Sequence, residues 1–409
     1  MDLLNSNSSN NATEQFTQEL RITSPTDQTI SYVAGLYYYD NELDRKQLQV
    51  FNPPFSQLPV TAGTENSSTV TNESMAIFGQ ATWNITDTAR LSAGLRFNED
   101  EVTLDQTVNT LVGGNVIAAA SGSRVTTVTE SNLQWRVIGE LDVADAAMVY
   151  GTVARGYKGP GANTINTGLT ALKPIVDPEI PTNYELGLKS EWLDGSLRLN
   201  VSAFLTEFED FQASLSDNQI PPKFFLANAG ELETKGVEVE VTWQASDNLL
   251  ISGNLASIDT SFKEFLGAEC FPFQSVAQGC VGGQQDLSDA DLPFSPDLTV
   301  NLFARYDITF DDLPFDSYVQ GSYHWQDEAQ LNSTNDPLTI NESYGLADFA
   351  LGFVSNEGTY EVQVFVKNAF DEFYRSGYTT QGNPFGVLLA QSLEYDYTRR
   401  VGIKLKMDF

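Results

Sequence analysis

The sequence closes on VGIKLKMDF, residues 401 to 409, and this stretch alternates without a slip. Val401, Ile403, Leu405, Met407 and Phe409 share one face, while Gly402, Lys404, Lys406 and Asp408 share the other. A period of two marks a strand. An apolar face that ends on an aromatic ring suits a strand whose outer side meets lipid, so these five residues are expected to be the closing strand and outer-membrane assembly signal of a transmembrane β-barrel. No run in the chain approaches the roughly 18 uncharged apolar residues of a membrane helix. A chain that crosses lipid without such a helix must do so as a barrel, because hydrocarbon offers nothing to an unpaired strand edge.

Working back from that end, the same alternation recurs in segments of about ten residues. Tyr184, Leu186, Leu188 and Trp192 oppose Asn183, Glu185, Lys189 and Glu191. Leu197, Leu199, Val201, Ala203 and Leu205 oppose Arg198, Asn200, Ser202 and Thr206, and between the two runs Asp194-Gly195 is a hairpin signal. Val237 to Trp243, Leu298 to Tyr306 and Tyr360 to Val366 repeat the pattern. The fold class is all-β: an antiparallel meander barrel of about 15 strands, with residues 16–409 as barrel and 1–15 as a disordered or external-loop remnant.

Connections alternate in length. Short turns fall at Pro25-Thr26-Asp27, Thr86-Asp87, Ala144-Asp145, Asp194-Gly195, Ser246-Asp247-Asn248, Asp311-Asp312 and Asn356-Glu357-Gly358. Between them lie polar or glycine-rich stretches at 41–72, 105–128, 157–181, 211–232, 263–294, 327–343 and 371–394. Outer-membrane barrels have short periplasmic turns and long external loops, which assigns a side to every connection. Trp83, Trp192 and Trp243 each precede a short turn, where a periplasmic aromatic girdle belongs.

The chain carries 55 acidic and 22 basic residues, a formal charge of -33, which excludes a nucleic-acid partner. Inward charges such as Arg136, Glu140, Glu185, Lys189, Arg198, Glu238, Glu240 and Arg305 are expected to keep a lumen wet. The two cysteines, Cys270 and Cys280, share one external stretch and are expected to form a loop disulfide. No metal or cofactor site is expected. His324 is the sole histidine, so a nucleophile-base-orienter constellation has one base candidate and no serine motif beside it. An enzyme is not expected. The ligand-contact candidates are Tyr157, Lys158, Phe224, His324, Tyr374, Arg375 and Tyr378, with Phe211, Phe225, Phe385 and Lys223 nearby in the same external stretches; their alternative role is rim girdle or loop packing.

Several blocks resemble the C-terminal barrel of TonB-dependent outer-membrane receptors. They are FTQELRITSP from Phe16 with YVAGLYYYD after it, ARGYKGPGANT from Ala154, TNYELGLKSEWLDGSLRLNVSAFLTEFEDFQ from Thr182, NAGELETKGVEVEVTWQASDNLLISGNLA from Asn228 and VKNAFDEFYR from Val366. The resemblance implies energy-coupled import of a scarce small ligand, such as a ferric siderophore, through a 22-stranded barrel filled by an N-terminal plug. Implied partners are outer-membrane lipid and lipopolysaccharide, the assembly machinery, and the TonB complex acting through a plug that is absent from this chain. An odd strand count and an opening tract, NSNSSNNAT, with neither basic nor apolar signal-peptide character lead to the expectation of a C-terminal part of a longer receptor. Two alternatives stand beside it: a passive substrate-selective porin, and a soluble β-propeller or adhesin in which the apolar faces pack on one another.

Overall fold

The computed structural model describes residues 6–51, 62–113, 115–117, 121–164, 173–216, 224–383, 386–393 and 397–408; Phe409, Lys223 and Phe385 lie outside them. Fifteen strands follow one another in a single antiparallel meander, each bonded to its neighbours in sequence. They are Ser6–Thr23, Ile30–Phe51, Ala62–Asn84, Ala89–Val112, Gly122–Ala144, Ala147–Arg155, Ile180–Trp192, Leu197–Glu209, Glu231–Ser246, Leu249–Glu264, Leu298–Ile308, Phe315–Gln326, Tyr344–Ser355, Tyr360–Lys367 and Arg400–Met407. Among the described residues the first and last strands do not pair with each other, so the meander is an open wall. The expected short turns all join paired strands. At one of them, Asp194 and Gly195 take φ of 56° and 84°, the left-handed region that this dipeptide enters easily.

The two faces of the wall meet different surroundings. On the outer face Met75, Ile77, Leu95 and Leu186 are each 60% exposed or more, with no second protein layer over them. Trp83, Trp192 and Trp243 stand on the same face near the short turns, also exposed. Side chains this large and uncovered, in rows on adjacent strands, are what hydrocarbon covers and water does not. The packed two-layer alternative is thereby corrected.

The apolar band has an upper limit that the register makes explicit. Tyr38 pairs with Met75, Ile77 with Phe97 and Phe97 with Leu133, and all four strands are apolar outward up to this line. One outward position higher on these strands stand Asp40, Glu73, Glu99 and Ser131, with Asp40 paired to Glu73 and Glu99 to Ser131. From Val143 up to Leu133 is ten residue steps, about 33 Å along the strand or about 25 Å of height at a 40° tilt, the thickness such a barrel presents to lipid.

Strand pairing continues well above that line, and this corrects three boundaries. The stretches 41–72 and 105–128 are mostly strand: Ile30–Phe51 pairs with Ala62–Asn84 as far as Phe51 opposite Ala62, and Ala89–Val112 pairs with Gly122–Ala144 as far as Val108 opposite Gly122. Residues 6–15, expected as a disordered or external-loop remnant, are the outer arm of the first strand, paired from Ser6 opposite Val50. The reason is compositional. Threonine favours strands, and serine and asparagine are carried in one when a neighbour supplies the ladder, but without an apolar row the stretch reads as loop.

The remaining external stretches fold into small hairpins that lean on one another. Gly161–Ala162 pairs with Ile175–Val176, Gln212–Ser216 with Phe224–Asn228, Leu266–Glu269 with Gln284–Asp286, Ala329–Gln330 with Ile340–Asn341, and Gly377–Asn383 with Gly386–Ser392. Leu215, Ala229, Leu232, Phe262, Phe265, Ala268 and Leu287 form a buried cluster between the second and third of these, with Phe208, Phe211 and Phe225 packed against it. Phe262 and Phe265 sit 4.8 Å apart, and burying each ring contributes about 2–3 kcal/mol. That burial is what orders loops resting on neither lipid nor lumen.

Candidate ligand-binding site

The inner face of the wall is polar and internally bonded. Arg90 meets Asp142 at 2.7 Å, Arg198 meets Glu191 at 2.9 Å, and Arg305 meets Asp307 at 2.8 Å while lying 3.9 Å over the ring of Tyr318. Tyr150 donates to Glu185 at 2.5 Å and Tyr318 to Glu361 at 2.6 Å. Both tyrosines lie across a glycine on the next strand. A Cβ at Gly187 would stand 2.4 Å from the Tyr150 ring, and one at Gly352 would stand 2.1 Å from that of Tyr318. The missing side chains let the rings lie flat along the wall, which keeps the lumen open.

Of the cavities that open on this face, two lie beside the sequence candidates. The larger, about 770 Å³, runs over the later strands and is lined by Lys189, Glu238, Glu240, His324, Asp348 and Tyr374 among others. His324 sits near the outer end of Phe315–Gln326 with its Nδ1 2.7 Å from Asn301 Oδ1, and its ring meets Tyr344 edge-on at 6.1 Å. Tyr344 stacks on buried Tyr374 at 4.8 Å and 13°. The structure thus joins two sequence candidates, His324 and Tyr374, through a third residue that the sequence did not single out. Arg375 lies next to them: its backbone N–H donates to Asn341 at 3.3 Å and its guanidinium stands 5.3 Å over Phe373. Tyr378 belongs to the neighbouring hairpin, opposite Gln391.

The smaller cavity, about 310 Å³, lies on the early strands at the level where the outer face leaves the lipid. Tyr37, Tyr39, Arg96, Asp100 and Tyr157 line it. Arg96 projects beneath the rings of Tyr37 and Phe78, at 5.0 and 5.8 Å. Asp100 accepts from Asn98 at 2.8 Å, and Asn98 accepts from Gln134 at 2.7 Å. The Tyr157 hydroxyl is buried without completing a hydrogen bond. Burial, and then the Asp100 and Glu130 carboxylates, push its pKa above the usual phenol range. Tyr37 and Tyr39 went unremarked in the sequence as ligand candidates, yet in the run Tyr37-Tyr38-Tyr39 only one parity can face lipid, and the other two rings must face the lumen.

Other candidates are used structurally. Lys158 is not free to receive an anion: its Nζ is 3.1 Å from the buried Glu179 carboxylate, which also accepts from the Gln212 backbone at 2.8 Å. Phe224 begins the strand Phe224–Asn228, opposite Ser216; its side chain lies outside the described atoms. Cys270 and Cys280 are joined, with Cα atoms 5.7 Å apart. Beside them buried Gln285 donates to Thr334 O at 2.8 Å, tying this loop to the next. Asn163 plays the same part further back, donating to Lys173 O and Leu226 O at 2.9 Å and accepting from Leu226 N at 2.7 Å. The external segments therefore stand as one buttressed rim above the two cavities.

Comparison with known proteins agrees with this geometry. The family model described as TonB dependent receptor-like, beta-barrel, matches residues 2–369. The pesticin receptor of Yersinia pestis is 27% identical over 406 residues, covering 97% of this chain and 52% of its own length. A probable TonB-dependent siderophore receptor of Acinetobacter baumannii is 24% identical over 242 residues, 58% of this chain and 29% of its own. Among solved structures, the ferric yersiniabactin uptake receptor FyuA from Yersinia pestis superposes with a TM-score of 0.76 at 22% identity, over 98% of this chain and 55% of that one. The siderophore receptor PiuA from Acinetobacter baumannii superposes with a TM-score of 0.60 at 13% identity, covering 97% and 64%. The chain spans about half the length of the curated relatives it matches most fully.

Proposed function

The chain belongs to the TonB-dependent receptor β-barrel family of the Gram-negative outer membrane, and from that premise we propose that it is the greater part of the barrel of a receptor that captures a small ligand, such as a ferric siderophore, and admits it by TonB-driven movement of a plug. The family is one of receptors and transporters rather than enzymes. One observation carries the reading: a rim of interlocked external hairpins stands over a polar inner wall holding two cavities of about 770 and 310 Å³, both within the size range of small-ligand sites. His324 with Tyr374 and Arg375, and separately Tyr157, are the proposed contacts from the sequence candidates. Inward pairs such as Arg90–Asp142 and Arg305–Asp307 supply a hydrated surface against which a plug can sit and slide. Val401, Ile403, Leu405 and Met407, together on the exposed face of the last strand, are proposed as the segment read by the assembly machinery. Outer-face carboxylates and amines above Phe97 would meet lipopolysaccharide headgroups.

The test is uptake by the intact parent receptor. Cells expressing it are given a panel of radioiron chelates in paired strains with and without functional TonB. Accumulation of at least one chelate only where TonB works is the expected result. Equal accumulation in both strains would make the protein a passive porin instead.

A further inference from the structure

We propose that the smaller cavity is a binding site for an anionic ligand that carries an aromatic ring, with Arg96 as its counter-ion and Tyr37, Tyr39 and Tyr157 as its walls. The inference deepens the receptor reading and rests on it. It starts from how inward cations are treated elsewhere in the wall. Arg90, Arg198 and Arg305 each meet a carboxylate within 3 Å, and Lys367 meets Asp348 at 3.4 Å. Arg136, close to Arg96, donates from Nε to Gln80 Oε1 at 2.9 Å. Arg96 has neither kind of partner among the described residues. It meets only the rings of Tyr37 and Phe78.

In a chain with 55 acidic residues against 22 basic ones, a lumen-facing guanidinium that makes neither an ion pair nor a hydrogen bond among the described residues stands out. The acid that shares its cavity forms no ion pair with it among the described residues: Asp100 accepts from Asn98, whose own oxygen is taken by Gln134. The two rings hold the guanidinium plane in place while leaving its N–H edge unused, and a guanidinium edge matches a carboxylate or a pair of adjacent phenolate oxygens in a two-point contact. A flat ring completes the fit. Tyr37 and Tyr39 stand two residues apart on one strand, and Tyr157 lines the cavity from the external arch. Such walls favour stacking over hydrogen bonding, and the volume of about 310 Å³ admits one or two aromatic rings with their charged substituents. The larger cavity offers a different chemistry, with Glu238, Glu240 and Asp348 in its lining.

The experiment uses the intact parent receptor, purified from outer membranes in detergent, and reads binding by titration calorimetry. Three probes separate the terms: the ferric complex of 2,3-dihydroxybenzoate, which is anionic and aromatic; ferric citrate, anionic without a ring; and ferrioxamine B, cationic without a ring. The dihydroxybenzoate complex should bind tightest and ferrioxamine B not at all. Arg96→Gln should weaken the first by about tenfold or more and Arg96→Lys by less, because a charge-assisted two-point contact is lost in one and reduced in the other. Tyr37→Leu should narrow the gap between the aromatic probe and citrate. Arg136→Gln should leave all three unchanged, and heat-modifiable migration of each variant confirms that it is folded. Unchanged affinity in Arg96→Gln, equal binding of ferrioxamine B, or no binding of either anionic probe by the wild type would overturn the proposal. Because transport is not read, a receptor that binds in this way but imports without TonB would refute the uptake mechanism and leave this site standing.

Discussion

Replacing Leu95 with arginine is the sharpest test of what covers the outer face. Leu95 is 60% exposed and pairs with Gly79, which lies midway between Trp83 and Met75, the lower and upper ends of the apolar row on its strand. It is therefore a mid-band position. Arginine at the middle of the hydrocarbon costs a membrane strand about 2–4 kcal/mol, falling to about 0–1 kcal/mol near the interfaces. Glu99 lies four residues up the same strand and on the same face, about 13 Å away along it and above the last apolar residue, Phe97. Leu95→Arg should lower the folding equilibrium of the intact receptor by about 30- to 700-fold, and Glu99→Arg by no more than about fivefold. Both are measured by urea titration of folding into phosphatidylcholine vesicles, with the heat-modifiable band as the readout. If the two variants cost the same, or Leu95→Arg costs nothing, the outer face does not meet lipid and the assignment of the band is wrong.

Gly352→Ala should cost about 1–3 kcal/mol, because its new methyl would stand 2.1 Å from the ring of Tyr318, a residue fixed by bonds to Glu361 and Gln363; loss of near-ultraviolet dichroism and a lower urea midpoint are the readouts. Removing the disulfide with Cys270→Ser and Cys280→Ser releases about 3 kcal/mol of loop constraint. Amide exchange should then quicken in 263–294 and, through Gln285, in 327–343, with the folding midpoint of the barrel unmoved. On the outer face above the lipid, Lys263 and then Lys235 hold the Glu233 carboxyl below its ordinary range. A lowered folded-state pKa stabilises above the unfolded value of about 4.3 and is lost as pH falls from there through the folded value, so exchange around 231–235 and 259–263 should rise only below that pH. Exchange that instead rises between neutrality and pH 5 would contradict the assignment.

How much of this was legible in the sequence depended on what each strand face touches. Where lipid lies outside and water inside, the alternation is one-sided, and Leu197 to Leu205 or Val237 to Trp243 declared both strand and face. Both turn classes followed, since Asp-Gly and Asp-Asn pairs sit where the lower connections are. Ligand contacts were less legible, because a tyrosine on an external loop looks the same whether it lines a cavity or props a neighbour, and Lys158 proved to be bound to Glu179.

The failure over 41–72 and 105–128 has a more specific cause, visible in the strand Ala89–Val112. Below the upper lipid boundary its apolar residues are Leu91, Leu95 and Phe97, all outward. Above it, as far as Val108, they are Val102, Leu104 and Val108, all inward and nearly fully buried. The period of two never breaks. Its phase inverts, because the outer side passes from hydrocarbon to water while the inner side passes from a wet lumen to a packed layer of Ile175 from the external arch with Val70 and Val128 of the neighbouring strands. A reading that demands one apolar parity for the whole strand stops at Phe97 and assigns the rest to loop. A reading that allows the parity to change at a Glu99-Asp100-Glu101 step recovers the full strand and marks the height of the membrane surface in the same stroke. The inversion also explains why the site sits where it does. At the crossing level the inner face is neither open water nor sealed core, so Arg96, Asp100 and the inward tyrosines occupy the one band of wall where a partly desolvated charge can wait for a ligand.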